Sequence, residues 1–331
     1  MPLHDTSYQH WDGVPLGIWR RRWAIMHNGL STCFQNKWLR YLMTLCWSAA
    51  LAMTAILFLV GQLLVADSVV AQWVPQFNPV LQAFARMLTT WLEQHPNLSV
   101  HTTQNLLFVY FGNGLLRMSI FALGLALPVL ITRDLASNAI IIYSSKAINR
   151  GDYLLGKFAT AAGVVGMTWL GPMVAAWFVG NLLAPDWRFF WYSRAVLGHV
   201  LAFGLVSTAI LSLLALGVSA ISAKERSTTT AWYLWWILGG VVAPIALHTQ
   251  PWLQHLSFNY NLEQIGLAIF RPGNDLTTAQ ENLPILGEML RNIPPPIMEA
   301  LNDPAAWGAA FASLVMLGIA FLVIRRQVKP E

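Results

Sequence analysis

Gly151-Asp-Tyr-Leu-Leu-Gly156-Lys157 has the Gly-x4-Gly-Lys spacing of a loop that cradles phosphates. That chemistry also needs a hydroxyl after the lysine to hold magnesium, and a buried strand ahead of the first glycine. Position 158 is Phe and no buried strand precedes it, so the chain is not expected to bind ATP by itself. The eight histidines (His4, His10, His27, His95, His101, His199, His248, His255) include no His-x-x-x-His pair and no acidic neighbour at ligand spacing. No metal centre is expected, and His199, deep in an apolar run, reads as a helix–helix hydrogen-bonding group. No Gly-x-Ser-x-Gly elbow offers a nucleophile. Cys33 and Cys46 lack metal-type pairing and read as inert thiols. No catalytic residue is assigned and no cofactor is expected on this chain.

One charged residue stands inside an apolar run. Arg117 lies eleven residues beyond Leu106, or about 16 Å along a helix. An unpaired arginine at that depth costs ~2.5–3.5 kcal/mol or more. Asn113 is one turn earlier and Tyr110 shares the face, so a polar stripe should meet protein or a watery cavity. Asn113 and Arg117 read as lining a path that favours negative groups. Equally, Arg117 could be structural and bonded to carbonyls, or lie at shallower depth.

The elements that position these residues are membrane helices. Hydrophobic residues make up 56% of the 331 positions and charged residues 11%, against about 25% charged in soluble domains. Six apolar runs predict spans at Leu42–Val65, Leu106–Ile131, Leu154–Leu182, Ala195–Ile221, Ala231–Leu247 and Trp307–Ile324. Fourteen basic residues fall on one side of this alternation, including Arg20–Arg22, Arg133, Lys146, Arg150, Lys157, Lys224 and Arg325. Five fall on the other side: Arg86, Arg188, Arg194, Arg271 and Arg291. The positive-inside rule then puts both termini in the cytoplasm. The basic residues are scattered over helix ends, so nucleic acid is not expected as a partner.

The first thirty-seven residues are too long and too polar for a signal peptide. From Pro15, Trp19, Trp23, Met26, Leu30 and Phe34 form one apolar face beside Arg20–Arg22, which predicts an interfacial helix on the bilayer surface. On the outer side, Asn78 and Pro79 open a helix with Leu81, Phe84, Leu88 and Trp91 on its apolar face, ended by Pro96. Leu262, Ile265 and Ile269 predict a second surface helix, stopped at Arg271-Pro272-Gly273. Pro294–Pro296 reads as an extended spacer. Trp73, Trp91, Trp187, Trp191, Trp252 and Trp307 sit near span ends, where indoles favour headgroups.

Between the second and third spans runs Arg133–Lys157, RDLASNAIIIYSSKAINRGDYLLGK, expected to form a short helix closed by Gly151, with Leu135, Ala139 and Ile142 as an apolar contact face. A charged pair at a helix exit, a Ser/Lys segment and then Asn-Arg-Gly-Asp-Tyr-Leu-Leu-Gly-Lys resembles the first cytoplasmic loop of type-2 ABC-transporter permeases. The stretch Leu256–Asp275 more faintly resembles their outer segment before the last span. The resemblance implies an all-α polytopic membrane domain of six helices. An interfacial N-terminal helix (1–41) would be followed by spans 1–2 (42–131), a coupling loop (132–153), spans 3–5 (154–249), an outer loop (250–306) and span 6 with the tail (307–331). It also implies export across the inner membrane by a dimer with itself or a homologous permease. ATP and magnesium would bind a separate cytoplasmic ABC ATPase subunit, with Asp134, Lys146, Arg150 and Asp152 seating the loop on it. Asp134 and Asn138 stand where the family often has an acidic residue and a glycine. A membrane assembly protein without transport, or a membrane-embedded enzyme, are the alternatives.

Overall fold

The computed structural model describes residues 17–62, 86–87, 90–91, 93–139, 149–247, 250–282 and 295–328, and among these every regular element is helical. Six helices are long and apolar enough to cross a membrane. This is the architecture of a multi-pass membrane protein. After α1 (Ile18–Gln35) come the spans α2 (Lys37–Gln62), α3 (Pro96–Ala136) and α4 (Arg150–Leu182). Short α5 (Arg188–Tyr192) precedes spans α6 (Arg194–Ser219) and α7 (Glu225–Leu247). A 3-10 turn at Pro251–Leu256 then leads to α8 (Phe258–Phe270), α9 (Pro272–Asn282), α10 (Pro295–Asn302) and the last span, α11 (Ala306–Gln327).

In α3 and α6, 61% of the most apolar stretch is buried, against 17% in α7 and 22% in α11. The first two are therefore the centre of the bundle, and the last two keep apolar faces turned outward. Small residues set the closest approaches, as packing between lipid-immersed helices favours. A Cβ on Gly217 would lie 2.5 Å from Ala320 Cβ and 2.9 Å from its Cα, so α6 and α11 touch backbone to backbone there. Gly217→Val should force them apart and cost about 1–3 kcal/mol, read as a lower melting temperature in detergent. An unchanged melting temperature would refute that contact.

Two spans are interrupted by wide π turns beside prolines, Pro128–Thr132 in α3 and Gly166–Leu170 ahead of Pro172 in α4. Proline lacks an N–H and its ring displaces the carbonyl four residues back, and one widened turn absorbs both. In α3 the loosened groups are caught by Ser219 of α6. Its hydroxyl accepts from Ile131 N at 2.8 Å and Thr132 N at 3.1 Å, and donates to Leu127 O at 2.9 Å.

Four local readings change. Gly151 does not close a helix: Asn149 precedes α4, and Gly151 lies in its first turn. Pro295 and Pro296 are not an extended spacer but open α10, where a missing N–H is no loss. The second span starts at Pro96, ten residues before Leu106, because polar groups on its first turns bond to neighbouring helices. Helix α8 stops at Arg271 as expected, with that residue left-handed at φ 51°. However, it is no surface helix. It packs against α3, α6, α7 and α11, with Phe258, Asn261, Leu262, Gln264, Gly266 and Phe270 buried. Its two buried amides are satisfied nearby: Asn261 Nδ2 donates to His255 O, and Gln264 Oε1 accepts from Ala305 N.

Helix α1 packs along α4, with Gly29 and Cys33 buried and Leu30 and Phe34 against the core, while Trp19 and Trp23 stay exposed. Burial pushes the Cys33 thiol up to about 11, well away from reactive thiolate. Of the expected outer helix from Asn78, only 86–87, 90–91 and 93–94 are among the described residues; these are helical, and Trp91 is buried.

Candidate functional site

Arg117 has a carboxylate partner, and it comes from α8 rather than from a span. Its Nη2 lies 3.3 Å from Glu263 Oε1. Asn259, one turn earlier on α8, donates to the same oxygen at 3.2 Å. The pair is not sealed. The Arg117 side chain is 60% exposed and Glu263 29%, and both line a cavity of about 630 Å³. Its walls include Trp236, Ile237, Gly240 and Pro244 of α7, Tyr260 and Gln264 of α8, and Asp303 just past α10. Asn113 also faces α8, but in a separate crevice of about 10 Å³ against Gly266, Leu267 and Phe270. Tyr110, by contrast, is exposed. The expected stripe thus divides: Asn113 packs, and Arg117 opens onto space.

Helix α8 is held in place at its two ends. At the start, the Ser257 hydroxyl caps it by accepting from Tyr260 N, and Trp235 Nε1 donates to Leu256 O. At the finish, Asn105 of α3 donates to Phe270 O at 2.7 Å and to Asp275 of α9. His199 Nδ1 on α6 lies 3.0 Å from Asn105 Oδ1, the helix–helix bond expected of it. Burial pushes the Asp275 carboxyl above the usual carboxylate range, while the Asn105 hydrogen bond and nearby His101 pull it back.

The expected coupling residues gather at the basic end of the bundle, bonded within the chain. Asp134 Oδ2 is 2.7 Å from Lys157 Nζ and accepts from the Tyr153 hydroxyl at 2.6 Å. Lys157 also donates to Val129 O at 2.9 Å. Asp152 takes a hydrogen bond from Arg22 Nε of α1 at 2.6 Å. Arg150 donates to Ile324 O at the end of α11. Arg133 pairs with Glu225 at the start of α7, 2.9 Å away and half exposed. Lys146 and Ile142 lie outside the described residues. Beside the cluster, Arg21, Asn28, Thr32, Arg133, Asp134 and Lys157 line a cavity of about 470 Å³.

Sequence reasoning missed Glu263, Asp303, Trp236 and Tyr260. A signal for the first was present: Glu263 is the lone carboxylate between Glu225 and Asp275, four residues after Asn259. Among the described residues no group of three or more His, Cys, Asp or Glu is placed to hold a metal ion. Neither protein-family models nor curated proteins give a match to this chain.

Proposed function

We propose that this chain is the membrane-spanning permease subunit of an ATP-driven exporter of the type-2 ABC class, working as a dimer with a separate cytoplasmic ATPase. What carries the reading is how the α3–α4 connection is rooted. Asp134 with Lys157 and Tyr153, Asp152 with Arg22, and Arg150 with Ile324 tie its two ends to α1, α4 and α11. A coupling element must pass a push from its partner into the spans, and a loop with loose roots would absorb it. In this reading the basic end faces the cytoplasm of the inner membrane, and α1 brings exposed Trp19 and Trp23 to the headgroups. The outward faces of α7 and α11 meet lipid or the second copy. Lys146, between the roots, and the exposed parts of Arg133–Asn138 are what the ATPase would touch.

Purification of the tagged chain from native membranes in mild detergent tests this directly. An ATPase with a Walker A sequence should co-elute, and Lys146→Glu should reduce its recovery severalfold without lowering the yield of the chain. Recovery of the intact chain with no ATPase would overturn the proposal.

Orientation has its own test. In a background lacking Cys33 and Cys46, Thr277→Cys should react with a membrane-impermeant thiol reagent in intact cells, and Ser227→Cys should react only after lysis. Both positions are exposed on the protein, so access is decided by the membrane. The reverse pattern would remove the docking end from the cytoplasm.

A further inference from the structure

The residues that line the cavity beside Arg117 carry more negative than positive charge. Glu263 matches Arg117, and Asp303 adds a second negative charge with no further base among the residues that line it. Asn259 Nδ2 donates to Glu263 Oε1 and so helps to fix that carboxylate on the cavity wall. Trp236 and Tyr260 supply aromatic wall, the surroundings that favour a cation over an anion. On the α7 side the wall is Ile237, Gly240 and Pro244, exposed on the outward apolar face of the bundle, so an apolar chain has a surface to lie along.

We propose that this cavity binds a protonated primary amine carrying an apolar chain, its ammonium between Glu263 and Asp303 and its chain along Ile237 to Pro244. Arg117 then tunes the site by holding Glu263 half-neutralised rather than by attracting an anion. That the ligand is cargo rests on the exporter reading. That it binds does not. Either a free long-chain amine or the ethanolamine headgroup of a phospholipid has the required chemistry.

The test is equilibrium binding of radiolabelled dodecylamine to the purified full chain in dodecyl maltoside micelles, without ATP or ATPase. A saturable component of one site per chain is expected, displaced by unlabelled dodecylamine, weakly by dodecyltrimethylammonium, which has no N–H, and not by dodecyl sulfate. Glu263→Gln should weaken it by about tenfold or more, the loss expected for one hydrogen bond to a charged group. Arg117→Gln should tighten it severalfold by freeing Glu263. Added phosphatidylethanolamine that displaces the probe assigns the site to lipid headgroups, and failure to displace assigns it to free amines. No saturable binding, displacement by dodecyl sulfate as strong as by the amine, or weaker binding in Arg117→Gln would each overturn the proposal. None of these outcomes bears on whether an ATPase co-purifies.

Discussion

Lys157→Met is expected to destabilise the protein by about 3–5 kcal/mol, the cost of leaving a buried charge without its partner. Lys157 and Asp134 are only 9% and 15% exposed at the side chain, so water cannot take over when one is removed. Asp134 would keep the Tyr153 hydroxyl as its donor, and Val129 O would lose the ammonium that bonds it beside the π turn of α3. Asp134→Asn combined with Lys157→Met removes both charges and should recover most of the loss. Thermal unfolding of the four proteins in one detergent gives the coupling between the two positions. Arg133 and Glu225 serve as the contrast. Their pair is half exposed, and Glu225→Gln should cost no more than about 1 kcal/mol. If Lys157→Met melts with the wild type, the pair is not buried in the folded protein and the root of the α3–α4 connection is not rigid.

The same lysine shows where reading from sequence stops. Gly151, Gly156 and Lys157 match a phosphate loop in spacing, and the missing hydroxyl at Phe158 together with the missing buried strand argued against it. Nothing in the spacing says where Lys157 goes instead. It goes to a carboxylate twenty-three positions earlier in the chain, across a helix–helix contact that exists only once α3 and α4 are packed. Gly156, from the same motif, is small for a packing reason: a Cβ there would lie 2.6 Å from Ile25 of α1.

The six spans were legible because each needs about twenty mostly apolar residues, and local composition alone supplies that signal. Their ends away from the basic cluster were less so. His101, Thr102, Gln104 and Asn105 make the first turns of α3 look like loop, yet Gln104 bonds Asn181 and Asn105 bonds Phe270 and Asp275. Polar residues that satisfy one another across helices cannot be told from solvated ones in a single sequence. Helix α8 failed for the complementary reason. Its apolar stripe of Leu262, Ile265 and Ile269 suggested a surface, but this thirteen-residue helix, too short to span, is packed inside the bundle. The buried amides of Asn261 and Gln264 are what let it enter the bundle, and their partners lie in segments that hydropathy reads as loop. Glu263 therefore arrives opposite Arg117 from a helix not expected to be near it.

That meeting is expected to depend on Asn105, which anchors the end of α8 without itself lining the cavity. Asn105→Leu removes donors from Phe270 O and from Asp275, and strips His199 Nδ1 of its partner. At about 1–3 kcal/mol for each buried group left unpaired, the loss should be about 3 kcal/mol or more. Burial already holds Asp275 above the usual carboxylate range, so the folded protein binds its proton more tightly than the unfolded chain does. Between the ordinary value and the raised one, stability therefore falls as pH rises, and above the raised value the contribution is level. Wild type should accordingly gain stability on acidification through that window, and Asp275→Asn, compared at each pH so that His101 and His199 cancel, should gain less. Asn105→Leu loses the hydrogen bond that opposes the rise, so its gain on acidification should be larger than that of wild type. If the C-terminal anchor of α8 is what keeps Glu263 against Arg117, Asn105→Leu should also weaken dodecylamine binding, while Asp275→Asn, which keeps Phe270 O bonded, should bind as wild type does. An Asn105→Leu protein with unchanged melting and unchanged binding would mean that α8 is positioned by its apolar packing alone, through Phe258, Leu262 and Phe270.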